Sequence, residues 1–266
     1  MTPILQKTEF GKVFLVGAGP GDVELLTLKA ARLLAAADVV LIDDLAGDEV
    51  LQMCPQARII RVGKRGGCKS TPQAFIEKLL VREAQAGHTV VRLKGGDVSL
   101  FGRASEEIAA LEAAGIDFEM VPGVTAGLAA AAALKSSLTH RDHAHGVAFI
   151  TAHGAEGADI PWQALAQSAV TLVVYMGVAR AASLQTSLLN GGLPGATPVI
   201  AVENASRAHA RSVCSTVAKM VDDFAQHSLQ SPAVLVIGEA MRERAFALAG
   251  QALTHGDCDN VLRIVA

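Results

Sequence analysis

Aromatic residues make up only 4% of the 266-residue chain. Its core must therefore be assembled from Val, Leu, Ile and Ala, the composition of buried parallel strands covered by Ala-rich helices. Hydrophobic residues reach 51%, yet no apolar run approaches the roughly 20 residues that a membrane helix needs. The nearest run, residues 127–134, is short and Ala-rich. Residues 1–10 lack the basic start and apolar middle of a signal peptide. The four cysteines, Cys54, Cys68, Cys214 and Cys258, form no C-x-x-C pair, so free thiols in a reducing cytoplasm are expected rather than a disulfide framework. His140, His143 and His145 are loosely spaced with no cysteine nearby, and four zinc ligands cannot be assembled from them, so no metal is expected. A formal net charge of −3 leaves the whole molecule without an electrostatic footprint for nucleic acid.

What is present is local. Arg58, Arg61, Lys64, Arg65 and Lys69 cluster, and Arg92, Lys94, Arg103 and Arg141 stand near other predicted loops. Basic loops on an acidic chain suit a small polyanionic ligand better than a polymer. Apolar runs at 12–16, 39–42, 59–62, 89–93 and 118–121 read as strands, with helices over 27–36, 71–86 and 105–114. Thr71-Pro72 reads as an N-cap followed by proline at the first helical position, Ser105 as the next N-cap, and Gly87 and Gly115 as stops. Strands alternating with helices predict a mostly parallel sheet with right-handed crossovers. Val121-Pro122-Gly123-Val124-Thr125 breaks the rhythm and predicts a domain boundary. The resulting reading is two α/β domains, 1–121 and 125–244, with further strands at 147–151, 172–175, 198–202 and 234–237 and a weaker one at 211–215. The tail, 245–266, has no strong pattern.

Two glycine segments carry the functional signal. Val16-Gly17-Ala18-Gly19-Pro20-Gly21-Asp22 follows the first strand, where a phosphate loop would lie, but the acid at 22 would repel a pyrophosphate. The segment points to a ligand without phosphates, or to a tight turn of purely structural purpose. Residues 90–97, Val-Val-Arg-Leu-Lys-Gly-Gly-Asp, run from a strand into a paired-glycine loop, and Phe101-Gly102-Arg103 and Glu106-Glu107 follow. In an open parallel sheet, ligands collect at such carboxyl ends. Glu106 and Glu107 also fit a plainer role, as acids in the first turn of a helix, and Asp43 and Asp44 fit a turn after a strand.

The motifs G-A-G-P-G-D at 17–22, V-G-K-R at 62–65, R-L-K-G-G-D at 92–97, F-G-R at 101–103, P-G-V-T-A at 122–126, L-T-H-R-D at 138–142 and V-V-Y-M-G at 173–177 occur in order. Together they resemble the tetrapyrrole methylases, most of all the members that methylate uroporphyrinogen III. The resemblance spans about residues 11–240. It implies a homodimer of two-domain chains of the class III methyltransferase type, with S-adenosylmethionine in the cleft between the domains. It implies methyl transfer to C2 and C7 of uroporphyrinogen III, giving precorrin-2 for cobalamin or sirohaem synthesis. Carried over motif by motif, it places Pro20, Gly95, Gly96, Asp97, Leu100, Thr125, Ala126, Met176 and Ala205 around the cofactor. Arg65, His140 and Arg141 fall on the substrate side with Lys64 and Arg103, since a carboxylate-rich macrocycle calls for cations. For proton handling it offers Asp43 with Lys64, or Arg103 with Glu106.

Val98 and Ser99 stand where the family usually has proline and an aromatic, so a φ that proline would fix near about −65° is not fixed by a ring. Ala104 replaces a usual glycine, and Lys135-Ser136-Ser137 a usual Gly-Ile-Pro. Two rival readings follow: a methylase acting later in corrin assembly or on diphthamide, and a protein that binds S-adenosylmethionine without methylating.

Overall fold

The computed structural model describes residues 10–63, 71–153, 160–254 and 261–263. Lys64, Arg65, Lys69, Cys68 and Cys258 lie outside the described residues, as do residues 1–9. The chain divides into two compact units, Met1–Thr125 and Ala126–Ala266.

In the first unit, β1 (Val13–Gly17), α1 (Leu28–Ala35), β2 (Val39–Ile42), β3 (Arg58–Arg61), α2 (Gln73–Gln85), β4 (Val90–Lys94), α3 (Ala104–Ala113) and β5 (Phe118–Val121) follow one another. The five strands form one parallel sheet in the order β3-β2-β4-β1-β5. Alternation along each strand sends Val13, Leu15, Val39, Leu41 and Val90 to a core with Leu80 of α2 and Leu111 of α3. Val16, Val40, Ile42, Val91 and Leu93 go to the opposite core, with Ala30 and Leu34 of α1. The helices after β1 and β4 therefore cover opposite faces, which makes the neighbouring carboxyl ends of these two strands the switch point of the sheet.

Two predicted caps are corrected. Pro72 occupies the N-cap of α2 and Gln73 opens it, because Thr71 sends its hydroxyl to Gly63 O instead, at 3.5 Å. Arg103, not Ser105, is the N-cap of α3, with a left-handed backbone at φ 55° and no side-chain cap bond. The stops behave as read, with Gly87 and Gly115 at φ 87° and 66°, where L side chains are strained.

The second unit runs α4 (Ala126–Ala133), β6 (Gly146–Thr151), α5 (Trp162–Gln167), β7 (Val170–Tyr175), α6 (Ala181–Asn190), β8 (Pro198–Glu203), β9 (Arg211–Thr216), α7 (Met220–Gln226), β10 (Ala233–Ile237), α8 (Arg242–Thr254) and β11 (Val261–Arg263). Its sheet has the order β11-β9-β8-β10-β7-β6. Among the described residues of this sheet, only β6 and β7 pair in parallel, while β10 runs antiparallel to both β7 and β8. The tail without a sequence pattern, 245–266, holds most of α8 and the edge strand β11, which pairs with β9 through Val261↔Val213. Leu172, Val174, Val199 and Leu235 face α6 and α7. Val173, Ile200, Val202 and Val236 face α4 and α8.

Candidate functional site

The first unit gathers its predicted residues along one sheet edge, whereas the second places Ala126, Met176 and Ala205 at one edge and His140 and Arg141, before β6, at the opposite one. In the first, the carboxyl ends of β1, β2, β4 and β5 present four loops side by side. The β1 and β4 loops are zipped by backbone: Gly19 N donates to Gly96 O at 3.2 Å and Gly96 N to Gly19 O at 2.7 Å. Gly17, Gly96 and Gly123 then converge so tightly that a Cβ on Gly17 would lie 2.7 Å from Gly96 O and 2.6 Å from Gly123 N. Only glycine fits at 17 and 123, and the bare edge they make offers a ligand backbone rather than side chains. Pro20 lies buried in the first of these loops.

Asp97 fastens the β4 loop to the β5 loop. Its Oδ2 accepts from Gly123 N at 2.9 Å, and its Oδ1 accepts from Ser99 N at 2.8 Å and from the Ser99 hydroxyl. Partial burial pushes this carboxyl up, but the Ser99 and Gly123 donors outweigh it and hold it below the usual carboxylate range. Val98 is buried in the core, and Ser99 closes a local turn with Asp97 in place of a proline ring. Leu100 follows, half-buried, with its amide 3.4 Å from Asp97 O.

Asp43, half-buried at the end of β2, accepts from Leu45 N at 3.1 Å and from Gly95 N at 3.3 Å. It is both the cap of the short turn that follows and a tie to the paired-glycine loop. The same loop leaves Leu45 55% exposed. Phe101 and Arg103 both adopt positive φ, 54° and 55°, and such strain in non-glycine residues concentrates where ligands are held. Arg103 reaches back to Glu106 through a paired contact of 2.8 and 2.6 Å. That guanidinium holds the Glu106 carboxyl below its ordinary range. Both side chains face solvent.

Glu107, the neighbour of Glu106, is entirely buried and binds Arg92 at 2.9 Å and Lys94 at 2.8 Å. Burial and the nearby Arg92 push Lys94 below its ordinary pKa, with Glu107 opposing them. Sequence reading gave both glutamates the same plain role at a helix start, offered only Glu106 for proton handling, and left Arg92 and Lys94 as cations near loops. The missed signal is helical periodicity, which puts Ala104, Glu107 and Leu111 on the buried face of α3.

In the second unit, β7 and β8 run in the same direction with β10 between them, so Met176 and the 204–206 loop emerge on one edge. Met176 has φ 56° and is 47% exposed, and Ala205 is buried between Asn204 and Ser206 at φ 52° and 61°. Ala126 opens α4 beside this edge, where Gly127 N donates to the Tyr175 hydroxyl at 2.8 Å. Thr125, the last residue of the first unit, is buried. His140 and Arg141 are exposed in the turn before β6, with His140 stacked on His143 at 4.6 Å. Among the described residues, no three His, Cys, Asp or Glu side chains group to hold a metal ion. Lys64 and Arg65 lie outside the described residues.

The sequence model of the tetrapyrrole (corrin/porphyrin) methylases matches residues 12–221, across both sheets. The chain belongs to this family. Among its relatives, the uroporphyrinogen-III C-methyltransferase of Pseudomonas aeruginosa is 54% identical over 233 residues, 88% of this chain and 95% of that protein. Siroheme synthase 2 of Aeromonas hydrophila is 45% identical over 95% of this chain but only 54% of its own length. Among solved structures of tetrapyrrole methylases, the uroporphyrin-III C-methyl transferase from Thermus thermophilus complexed with S-adenosylhomocysteine aligns with a TM-score of 0.76 at 41% identity. The match covers 87% of this chain and 99% of that one. A cobalt precorrin-4 methyltransferase aligns at 0.79 with 28% identity, over 90% and 99%.

Proposed function

We propose that this tetrapyrrole methylase is an S-adenosylmethionine-dependent C-methyltransferase that converts uroporphyrinogen III to precorrin-2 by methylating C2 and C7. The observation that carries the reading is the glycine edge fastened by an ionised Asp97, in a chain that shares 54% identity with a uroporphyrinogen-III C-methyltransferase over 95% of that protein.

The residues present fit the cofactor. A sulfonium and an amino-acid end call for carboxylates and backbone groups, which Asp97, Asp43 and the Gly17, Gly96 and Gly123 edge provide. An adenine calls for apolar surface, and Leu45 and Phe101 are large apolar side chains that the loops of the first unit leave exposed. Bound there, S-adenosylmethionine would supply an electrophilic methyl group. The chain's own work is to align the attacking pyrrole carbon and exclude water, which account for most of the acceleration such a transfer needs. Arg103, His140 and Arg141 hold substrate carboxylates by charge-assisted hydrogen bonds. For the proton that leaves the macrocycle, Asp43 is the better acceptor. Two backbone amides orient it at the loop edge, whereas both carboxylate oxygens of Glu106 are taken up by Arg103. The protein is further read as a cytoplasmic homodimer, on the resemblance and on its free buried thiols Cys54 and Cys214.

The test is an anaerobic incubation with S-adenosylmethionine and uroporphyrinogen III. A dimethylated product absorbing as a dipyrrocorphin, with S-adenosylhomocysteine formed alongside, is expected. Cofactor bound but uroporphyrinogen returned unmodified overturns the assignment, and turnover of a later corrin precursor alone would move the protein to another member of the family.

A further inference from the structure

β4 is buried along its whole length, yet it carries two cations on the face that α2 and α3 cover. Glu107 of α3, at 0% exposure, meets both, Oε1 accepting from Arg92 Nε at 2.9 Å and Oε2 from Lys94 Nζ at 2.8 Å. Gln73 of α2 adds a weaker contact at 3.4 Å. The far side of the Arg92 guanidinium turns toward the site. Its Nη1 donates to Leu93 O at 3.0 Å and Leu41 O at 3.4 Å, and its Nη2 lies 3.9 Å from Asp43 Oδ2. Asp43 in turn takes the Gly95 and Leu45 amides. A continuous polar chain thus runs from a carboxylate in the core to the ends of β2 and β4.

Two carboxylates and two cations balance in charge, but burying them costs several kcal/mol per ion before pairing, and apolar side chains of similar volume fill such a space at least as stably. Packing alone does not call for this cluster. We infer that Glu107 is a positioning residue: by locking Arg92 and Lys94 it fixes the Asp43 carboxylate and the Gly95 amide, and with them the loop edge that receives the cofactor. The inference rests on the reading that S-adenosylmethionine binds at that edge.

Two variants test it, Glu107→Gln and the apolar replacement Arg92→Leu/Lys94→Met/Glu107→Leu. Melting temperature, hydrogen exchange of the segments holding Leu45 and Gly95, and the S-adenosylhomocysteine Kd by calorimetry are compared with wild type. Glu107→Gln should lower the melting temperature, speed exchange and weaken binding by about tenfold, the scale seen when a group that orients a ligand-binding residue is removed. The triple variant should recover the melting temperature while exchange stays fast and the Kd stays weak. Recovery of all three would make the cluster a filler and overturn the inference. If the triple variant does not fold, the cycle of Glu107→Gln with Asp43→Asn decides. Non-additive effects on exchange at Gly95 support action through Asp43, and additive ones refute it. A wild type that binds S-adenosylhomocysteine but leaves uroporphyrinogen III unchanged would fail the proposed function, while the exchange data would still judge Glu107.

Discussion

Gly17→Ala is the sharpest test of the loop edge, because its effect can be worked from three contacts. A Cβ at this position would stand 2.6 Å from Gly123 N, 2.7 Å from Gly123 Cα and 2.7 Å from Gly96 O, all backbone atoms, where ordinary contact begins at 3.4 Å. The β4 and β5 loops must therefore retreat by about 0.8 Å, since no flexible side-chain end is there to yield. Asp97 Oδ2 and Gly123 N, now 2.9 Å apart, would then pass the roughly 3.5 Å beyond which a hydrogen bond is lost, at a cost of about 1.5–3 kcal/mol for a charged acceptor. Gly17 is not in the left-handed region, so alanine there gains about 0.4–1 kcal/mol from a stiffer unfolded chain, and a net loss of about 1–2 kcal/mol remains. Binding should suffer more than stability, because a misplacement near 1 Å in a positioned site costs about a hundredfold. Gly115→Ala is the control. It ends α3 at φ 66° with nothing within 4 Å of its Cβ, so it should cost about 1 kcal/mol of conformational energy and leave the site alone. Melting curves and calorimetric titration with S-adenosylhomocysteine on both variants check the reasoning. A Gly17→Ala protein that binds as wild type does would show that this edge is not the cofactor's seat. Equal loss of affinity in Gly115→Ala would show that binding merely follows stability.

Arg103→Ala should lower kcat/KM for uroporphyrinogen III by roughly thirtyfold, about 2 kcal/mol, with the S-adenosylhomocysteine Kd unmoved in calorimetry; equal loss of both, or of neither, removes Arg103 from the substrate side. Buried Glu83 accepts from Arg58, from Arg82 at 2.7 Å and from His88 at 3.1 Å. Burial pushes its carboxyl up, yet the Arg82 and Arg58 hydrogen bonds and charges bring it below the ordinary value of 4.5. A lowered carboxylate pKa contributes stability that is whole above the unfolded value and lost as pH falls through the folded one. Unfolding free energies from urea titration of Glu83→Gln should therefore trail wild type by about 1–3 kcal/mol at neutral pH, with the gap closing below 4.5; a constant gap would contradict the assignment. Cys214 is buried and its thiol is pushed up to about 11 by desolvation, so iodoacetamide at mildly alkaline pH should modify it in urea but not in the native protein, as peptide masses will show. Native labelling at the unfolded rate would refute its burial.

The parallel first sheet was legible because its signals are local: apolar runs of strand length, with glycine closing α2 and α3 at Gly87 and Gly115. The second sheet was read only as another α/β unit. Its antiparallel pairing hides in a connection length, since residues 204–210 between β8 and β9 are too few for the dozen or so that a parallel crossover needs. At the site, glycine spacing exposed the loops but not which charges stand beneath them. Arg92 and Lys94 share one face of a strand whose apolar neighbours Val90, Val91 and Leu93 leave no face for solvent. Cations so placed require a counter-charge from whatever covers them. α3 supplies one acidic position on its buried face, Glu107, because Ala104 and Leu111 fix that face at helical spacing, and Glu106 next to it turns outward to Arg103. Neither segment alone discloses the pair. Strand alternation and helix periodicity taken together do, and they identify which of two adjacent glutamates the fold keeps for itself.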